Sequence, residues 1–334
     1  MRRVLIFLLV LALVAAAALF GGYRYWQSRL AAPIALEEAR LYEVPQGAGY
    51  HRVVGELARE GVIEEAWAFR ALARLEPSSL PRLRPGEYRL EPGMSGRELL
   101  ELLGSDRVVT YPLTVPEGWT FAQMRELLAD APKLAQQTAE LSDEELMARL
   151  GREGQHPEGW FFPDTYLYHK GVSDLEILEQ ALARMEATLE AVWAERADDL
   201  PLESPYEALI MASLIERETG APEERPEIAG VFKRRLERGM RLQTDPTVIY
   251  GMGERYAGNI TRADLREATP YNTYVIDGLP PTPIALPGRA SLEAAVNPEP
   301  GDTLYFVAKG DGTHHFSRTL REHNNAVNRY IRNR

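Results

Sequence analysis

Two glutamates near the middle of the chain, Glu216 and Glu218, close a helix-like run, YEALIMASLIERETG, that opens residues 206–252. Met211, Leu214 and Ile215 fall at i, i+3 and i+4, on one face of a helix. The next place on that face, i+7, is held by Glu218. Glu216 points roughly 200° away, toward the polar side. The helix is therefore expected to set one carboxylate against an apolar wall and one outside. A carboxyl against an apolar wall has a raised pKa, which suits a general acid near neutral pH. The competing reading is a core carboxylate paired with an arginine, because a buried Glu is ordinarily paired. Gly220, Ala221 and Pro222 end the helix directly afterwards.

The segment ASLIERETG, followed by VFKRRLERGMRLQTDPTVIYGMG, closely resembles the YceG-like (MltG) family of endolytic murein, or lytic, transglycosylases. EGWFFPDTY at 158–166, TPYNTY at 269–274, GLPPTPIALPG at 278–288 and the closing TLYFVAKGDGTHHFSRTLREHN carry the same resemblance. It runs from the first apolar segment to the last helix. The resemblance implies that Glu218 is the catalytic acid/base. It would protonate the glycosidic oxygen between MurNAc and GlcNAc, then take the proton of the MurNAc C6 hydroxyl as that oxygen attacks C1. The product would be a 1,6-anhydroMurNAc end, made without water and without a cofactor. One carboxyl suffices because nucleophile and electrophile belong to one sugar.

The same resemblance makes the 243–247 loop part of the site, with Gln243, Asp245 and Thr247 bonding sugar hydroxyls or steadying the transition state. The structural alternative is Asp245 as a helix N-cap with Pro246 at the first helical position. Tyr271, Asn272 and Tyr274 are able to bind acetamido groups and equally able to tie down their own loop. Asp164, after Pro163, is a turn residue or a polar group facing the cleft. Trp160, Phe161 and Phe162 cannot all share one face of a strand, so they line a sugar cleft or fill the core. Two rival functions remain. One is a hydrolase with Asp245 or Asp164 as second carboxylate. The other is a non-enzymatic murein-binding scaffold for cell-wall synthases.

Stepping outward, net charge is −11, which argues against nucleic acid as a partner. With no cysteine, disulfides, thiolate metal sites and a cysteine nucleophile are excluded. His314, His315 and His323 lack metal-site spacing, so no metal is expected. Residues 4–20 carry no charge and are followed by Tyr23, Tyr25 and Trp26, an interfacial aromatic belt. This reads as an uncleaved anchor within residues 1–26; a cleaved signal peptide is the rival. Flanking arginines nearly balance, so charge leaves orientation open. The murein substrate implied by the family places a short tail in the cytoplasm and the rest outside the inner (plasma) membrane. A penicillin-binding synthase is the protein partner the family suggests.

The expected fold is α+β: a transmembrane helix, a small unit at 36–110 and a larger mixed α/β catalytic unit at 111–334. The family describes the small unit as LysM-like, which implies glycan binding; a positioning spacer is the alternative. A weak repeat runs over residues 39–130. Turns ending in Gly47, Gly93 and Gly118 each follow a strand-like stretch and precede an amphipathic helix. Val53, Leu99 and Met124 stand six places past the glycine, and Leu57, Leu103 and Leu128 ten places past it. Strands are expected at 41–44, 87–90 and 108–115, with helices at 64–75, 138–152 (Ser142 capping, with Glu145), 175–197, 226–238, 291–296 and 320–331. A hairpin is expected at 304–317. The basic run Lys233, Arg234, Arg235, Arg238 and Arg241 is a solvated face or a surface for acidic peptide stems.

Overall fold

The three Pro/Gly turns close alike. Gly47, Gly93 and Gly118 all take the left-handed conformation, φ 73°, 81° and 77°, where a side chain is strained. The six repeat positions are at most 2 % exposed, so each helix buries the face its spacing set aside. The structure is a computed structural model and describes residues 2–332. In chain order it forms α1 (Arg2–Ala31), β1 (Arg40–Val44), α2 (Tyr50–Arg59), α3 (Ala66–Leu75), β2 (Gly86–Leu90), α4 (Gly96–Gly104) and β3 (Thr110–Thr114). Then come α5 (Phe121–Ala129), α6 (Asp143–Arg149), β4 (Thr165–His169), α7 (Asp174–Ala194), α8 (Pro205–Glu218) and α9 (Arg225–Glu237). The chain closes with α10 (Asp245–Met252), α11 (Arg289–Val296), β5 (Tyr305–Ala308), β6 (His314–Ser317) and α12 (Leu320–Val327), which runs on as a wider turn over Asn328–Arg332. The fold is mixed α+β.

Two units emerge. The first holds residues 1–111 and 167–171, the second 112–166 and 172–334, so the chain passes between them within β3 and β4. In the first, β1 and β2 pair antiparallel with Tyr42 opposite Tyr88. Alternate residues of β1, Tyr42 and Val44, point into a core shared with α2, α3 and α4. Helix α1 is long and apolar enough to cross a membrane. It does not stop where the charge-free stretch stops. Trp26 and Leu30 are 4 % and 0 % exposed in the core of the small unit, and Trp26 Nε1 donates to the Ala68 carbonyl at 2.8 Å. The unit therefore takes in more chain than 36–110.

In the second unit, the capping boxes at Thr120, Ser142 and Ser173 start α5, α6 and α7 as side chain and backbone exchange bonds. Helix α8 lies at the centre. Residues 208–215 are all buried, and α7, α9, α10 and α11 pack around them. A helix apolar all round is an interior helix. This corrects the two-faced reading of α8: there is no outer face for Glu216. The Ser213 hydroxyl donates to the Ile210 carbonyl at 2.7 Å and accepts the Ile284 N–H at 3.0 Å, pinning the proline-rich segment to α8.

Two residues of the basic run are corrected in the same way, while Arg238 and Arg241 are exposed. Arg234 and Arg235 are 8 % and 6 % exposed, and they bond backbone carbonyls rather than solvent. Arg234 donates to the Thr303 and Glu299 carbonyls at 2.7 and 3.0 Å; Arg235 donates to those of Leu304, Arg241 and Leu242 at 2.7, 3.0 and 2.8 Å. Charge patterning cannot show this, because the carbonyls come from loops some 70 residues away or from the chain's own turn.

Candidate active site

Helix α8 delivers Glu216 and Glu218 at its last turn, and their surroundings differ. Glu216 has a side chain 5 % exposed; it accepts from Arg225 at 3.1 Å and from the Gly288 N–H at 2.9 Å. It is the paired core carboxylate. Glu218 is half-buried, and among the described residues only the Thr244 hydroxyl hydrogen-bonds to its carboxyl. Among the described residues no arginine or lysine forms a salt bridge to it. Burial pushes its pKa up to about 7; the Thr244 bond pulls it down, the Asp245 charge raises it further, and Arg235 lowers it. Such a carboxyl holds a proton near neutral pH and can give it away.

The cradle around Glu218 comes from the stretch before α10 and from the 269–274 loop. Across residues 243–245, Thr244 is buried at 1 % exposure while Gln243 and Asp245 on either side are exposed. Below Thr244 is a closed knot of three threonines. The Thr244 N–H donates to Thr273 Oγ1 at 3.0 Å, Thr247 Oγ1 donates to the Thr244 carbonyl at 2.7 Å, and Thr247 and Thr273 hydroxyls lie 2.8 Å apart. Tyr274 donates to Asp245 at 2.6 Å, and burial first, then that bond, raises its phenol pKa. Thus Glu218, Gln243, Asp245 and Tyr274 are brought together, over a floor that fixes Thr244.

Other candidates are placed differently. Thr247 is fully buried within the knot. Asn272 is 1 % exposed and spends its amide on its own loop: Nδ2 donates to the Asp264 and Glu267 carbonyls at 3.0 and 2.8 Å, and Oδ1 accepts the Tyr274 N–H at 2.9 Å. Both act from below the site rather than at its surface, which corrects their reading as sugar contacts. Tyr271 shares a hydrogen bond with Thr282 at 2.9 Å and meets the Tyr250 ring edge-on. Asp164 forms a salt bridge with Arg184 of α7 and caps the Thr165 N–H at 2.7 Å; no hydrogen bond links it to Glu218. Asp245 is the first residue of α10 and Thr244 its N-cap, one position from the expected boundary. Phe161 and Phe162 are core, whereas half-buried Trp160 stacks on Tyr206 beside a cavity of about 530 Å³. His314 bonds Glu224 at 2.7 Å.

Sequence reasoning missed Thr244 and Thr273, and it missed Glu158. Glu158 is 3 % exposed, accepts from the Phe121 N–H at 2.9 Å and from Tyr250 Oη at 3.0 Å, and burial pushes its pKa up to about 7. Glu158 and Glu218 set a pH dependence. Between about pH 4.5 and 7 the folded chain keeps protons on them that the unfolded chain has lost, so stability falls as pH rises through that window. Glu158→Gln, of equal shape, should flatten this fall in the melting temperature; an unchanged slope would assign it to other groups.

Gln243 is the one non-glycine with positive φ among the described residues, at 53°. An L-residue there costs about 1–2 kcal/mol. Gln243→Gly should therefore hold or raise the melting temperature while lowering kcat/KM by about two decades, the loss typical of one placed polar group. Equal activity would restrict Gln243 to shaping the loop.

A carboxyl whose pKa burial raises to about 7, with exposed Gln243 and Asp245 beside it, is able to give and take a proton near neutral pH. The profile of the YceG-like family matches residues 42–329. The chain belongs to the YceG-like family. It is 32% identical over 333 residues to the endolytic murein transglycosylase of Bacillus subtilis (strain 168), covering 94% of this chain and 91% of that one. It is 28% identical over 367 residues to the endolytic murein transglycosylase of Streptococcus pneumoniae serotype 2 (strain D39 / NCTC 7466), covering 98% of this chain and 65% of that longer protein. The crystal structure of a YceG-like protein from Listeria monocytogenes aligns over 87% of this chain and 99% of its own, with TM-score 0.56 and 32% identity.

Proposed function

We propose that this chain is a peptidoglycan lytic transglycosylase that cleaves MurNAc–GlcNAc β-1,4 bonds within nascent glycan strands and leaves 1,6-anhydroMurNAc ends. The observation that carries this reading is the Glu218 carboxyl, pKa about 7, bonded by one threonine and paired with no cation among the described residues. Its proton passes to the glycosidic oxygen as the bond to C1 breaks. The glutamate left behind takes the proton of the C6 hydroxyl as its oxygen bonds to C1. One base serves both steps because the attacking group is already on the sugar. Gln243, Asp245 and Tyr274 line the approach and polarise it. The names of the two relatives support the substrate class.

Helix α1 anchors the protein in the plasma membrane, with the remainder on the outer side. The order β1–α2–α3–β2 supports reading the small unit as LysM-like and glycan-binding, close to a cell-wall synthase. A second reading, hydrolysis, is favoured by one observation: the Asp245 charge is near enough to raise the Glu218 pKa. Mass spectrometry of glycan strands digested with the full chain separates the two. Fragments ending in anhydroMurNAc, lighter by one water, are expected; reducing ends would establish hydrolysis with Asp245 as the second carboxylate.

A further inference from the structure

Where α1 approaches the small unit it is not packed on all sides. A groove of about 880 Å³ runs along it. Ala15, Ala18, Leu19 and Gly22 form one wall, and Trp67, Ala71 and Leu75 of α3 form the other. Three of the four α1 residues are small, which leaves room beside the helix. The lining is almost wholly apolar. The outer rim is apolar too: Leu75 is 65 % exposed and Trp67 45 %. Trp67 stacks on Tyr25 with ring centres 6.3 Å apart, and Tyr23 Oη meets Glu76 at 3.4 Å. So α3 adds its own aromatic to the belt of α1.

The position of the groove says what fills it. Ala15, Ala18 and Leu19 lie inside the charge-free stretch 4–20, and Gly22 to Trp26 lie in the belt just beyond it. From Ala15 to Trp26 the helix rises about 16 Å. The groove therefore opens onto the hydrocarbon layer at its lower end and onto the headgroup zone at its upper end. Aromatic side chains with a polar edge concentrate at that level. We propose that this groove seats an acyl chain of a membrane phospholipid, and that the exposed end of α3 rests in the bilayer interface as a second membrane contact. The proposal rests on the reading of α1 as a membrane anchor. That reading says only that α1 spans; the groove adds a lipid-binding site and a face for the small unit to lie on.

The test uses the full chain in phosphatidylethanolamine/phosphatidylglycerol vesicles containing a phospholipid with a photoreactive diazirine at the end of one acyl chain. After irradiation, adducts are mapped by peptide mass spectrometry. Adducts are expected on α1 and also on the peptide carrying Trp67 to Leu75. Leu75→Glu, at an exposed position that leaves the core untouched, should lose the α3 adducts and keep those on α1. Labelled α1 with unlabelled α3 in the unsubstituted protein would overturn the lipid seat while leaving the anchor standing. Disulfide formation between two copies carrying Ala15→Cys, Ala18→Cys or Gly22→Cys in the same vesicles, with no lipid adduct on α3, would overturn it in favour of a protein occupant. No label on α1 would overturn the anchor itself.

Discussion

Glu218→Gln is expected to lower the rate of glycan cleavage by roughly 10²–10⁴-fold, the contribution of a positioned general acid–base group. The fold should not suffer. Gln has the same shape and still accepts the Thr244 hydroxyl, and the substitution removes a carboxyl whose ionisation is opposed by burial. Above about pH 7, where the wild-type carboxyl is forced to ionise in place, the variant should melt at or above the wild-type temperature. Initial rates on purified strands, run beside a thermal melt, check both halves. The wild-type kcat/KM should also fall as pH rises through about 7, since the free enzyme must hold the proton. Retained activity in the Gln variant would move the acid elsewhere, with buried Glu158 a poor substitute and Asp245 the first to try.

Two residues earlier the same substitution should do the reverse. Glu216→Gln breaks a buried ion pair whose partners are 5 % and 10 % exposed, and leaves the Arg225 guanidinium with only the more distant Glu117, at 3.5 Å. Losing one partner of a buried pair costs about 3–5 kcal/mol. In a unit of this size that lowers the melting temperature by roughly 6–20 °C. Below the transition, the folded enzyme should cleave strands within an order of magnitude of wild type. Replacing both partners, Glu216→Leu with Arg225→Met, should recover much of the loss, because neither charge is then stranded. A Glu216 variant that is folded, as stable as wild type and inactive would give this residue a chemical role.

The contrast shows what the sequence discloses and what it withholds. Periodicity and capping chemistry are local, and they located the helix capped by Ser142 and the repeat faces at Val53, Leu99 and Met124. The i, i+3, i+4, i+7 row singled out Glu218, and its carboxyl is desolvated and, among the described residues, without a salt-bridged cation. The reason differs from the one expected. From 208 to 215 all sides of α8 are interior and both glutamates at its end are partly buried, so the face of the helix does not distinguish them; a partner does. Arg225 sits nine residues beyond Glu216 and the Gly288 N–H seventy-two, and no spacing rule reports a partner that a loop brings in. The same holds for Asn272 in its loop and Thr247 in the first turn of α10, polar residues that the fold turns inward, and for Arg234 and Arg235, whose partners are backbone carbonyls, three of them supplied from 65 to 69 residues further on.

The third of the glycine turns has a consequence of its own. In the first two copies the residue before the glycine is Gln46 or Pro92, and the turn is a corner. In the third it is Glu117, which reaches Arg225, while the Gly118 carbonyl accepts from Arg217 at 2.9 Å and its N–H donates to Leu286 at 2.9 Å. A shape used twice merely to reverse the chain is here a bracket bolted to the end of α8 and to the proline-rich segment at once. A change of loop length at the first two corners is absorbed where it occurs. The same change at the third is transmitted as leverage on the last turn of α8, and so on the aim of Glu218, without touching a single residue that meets the sugar.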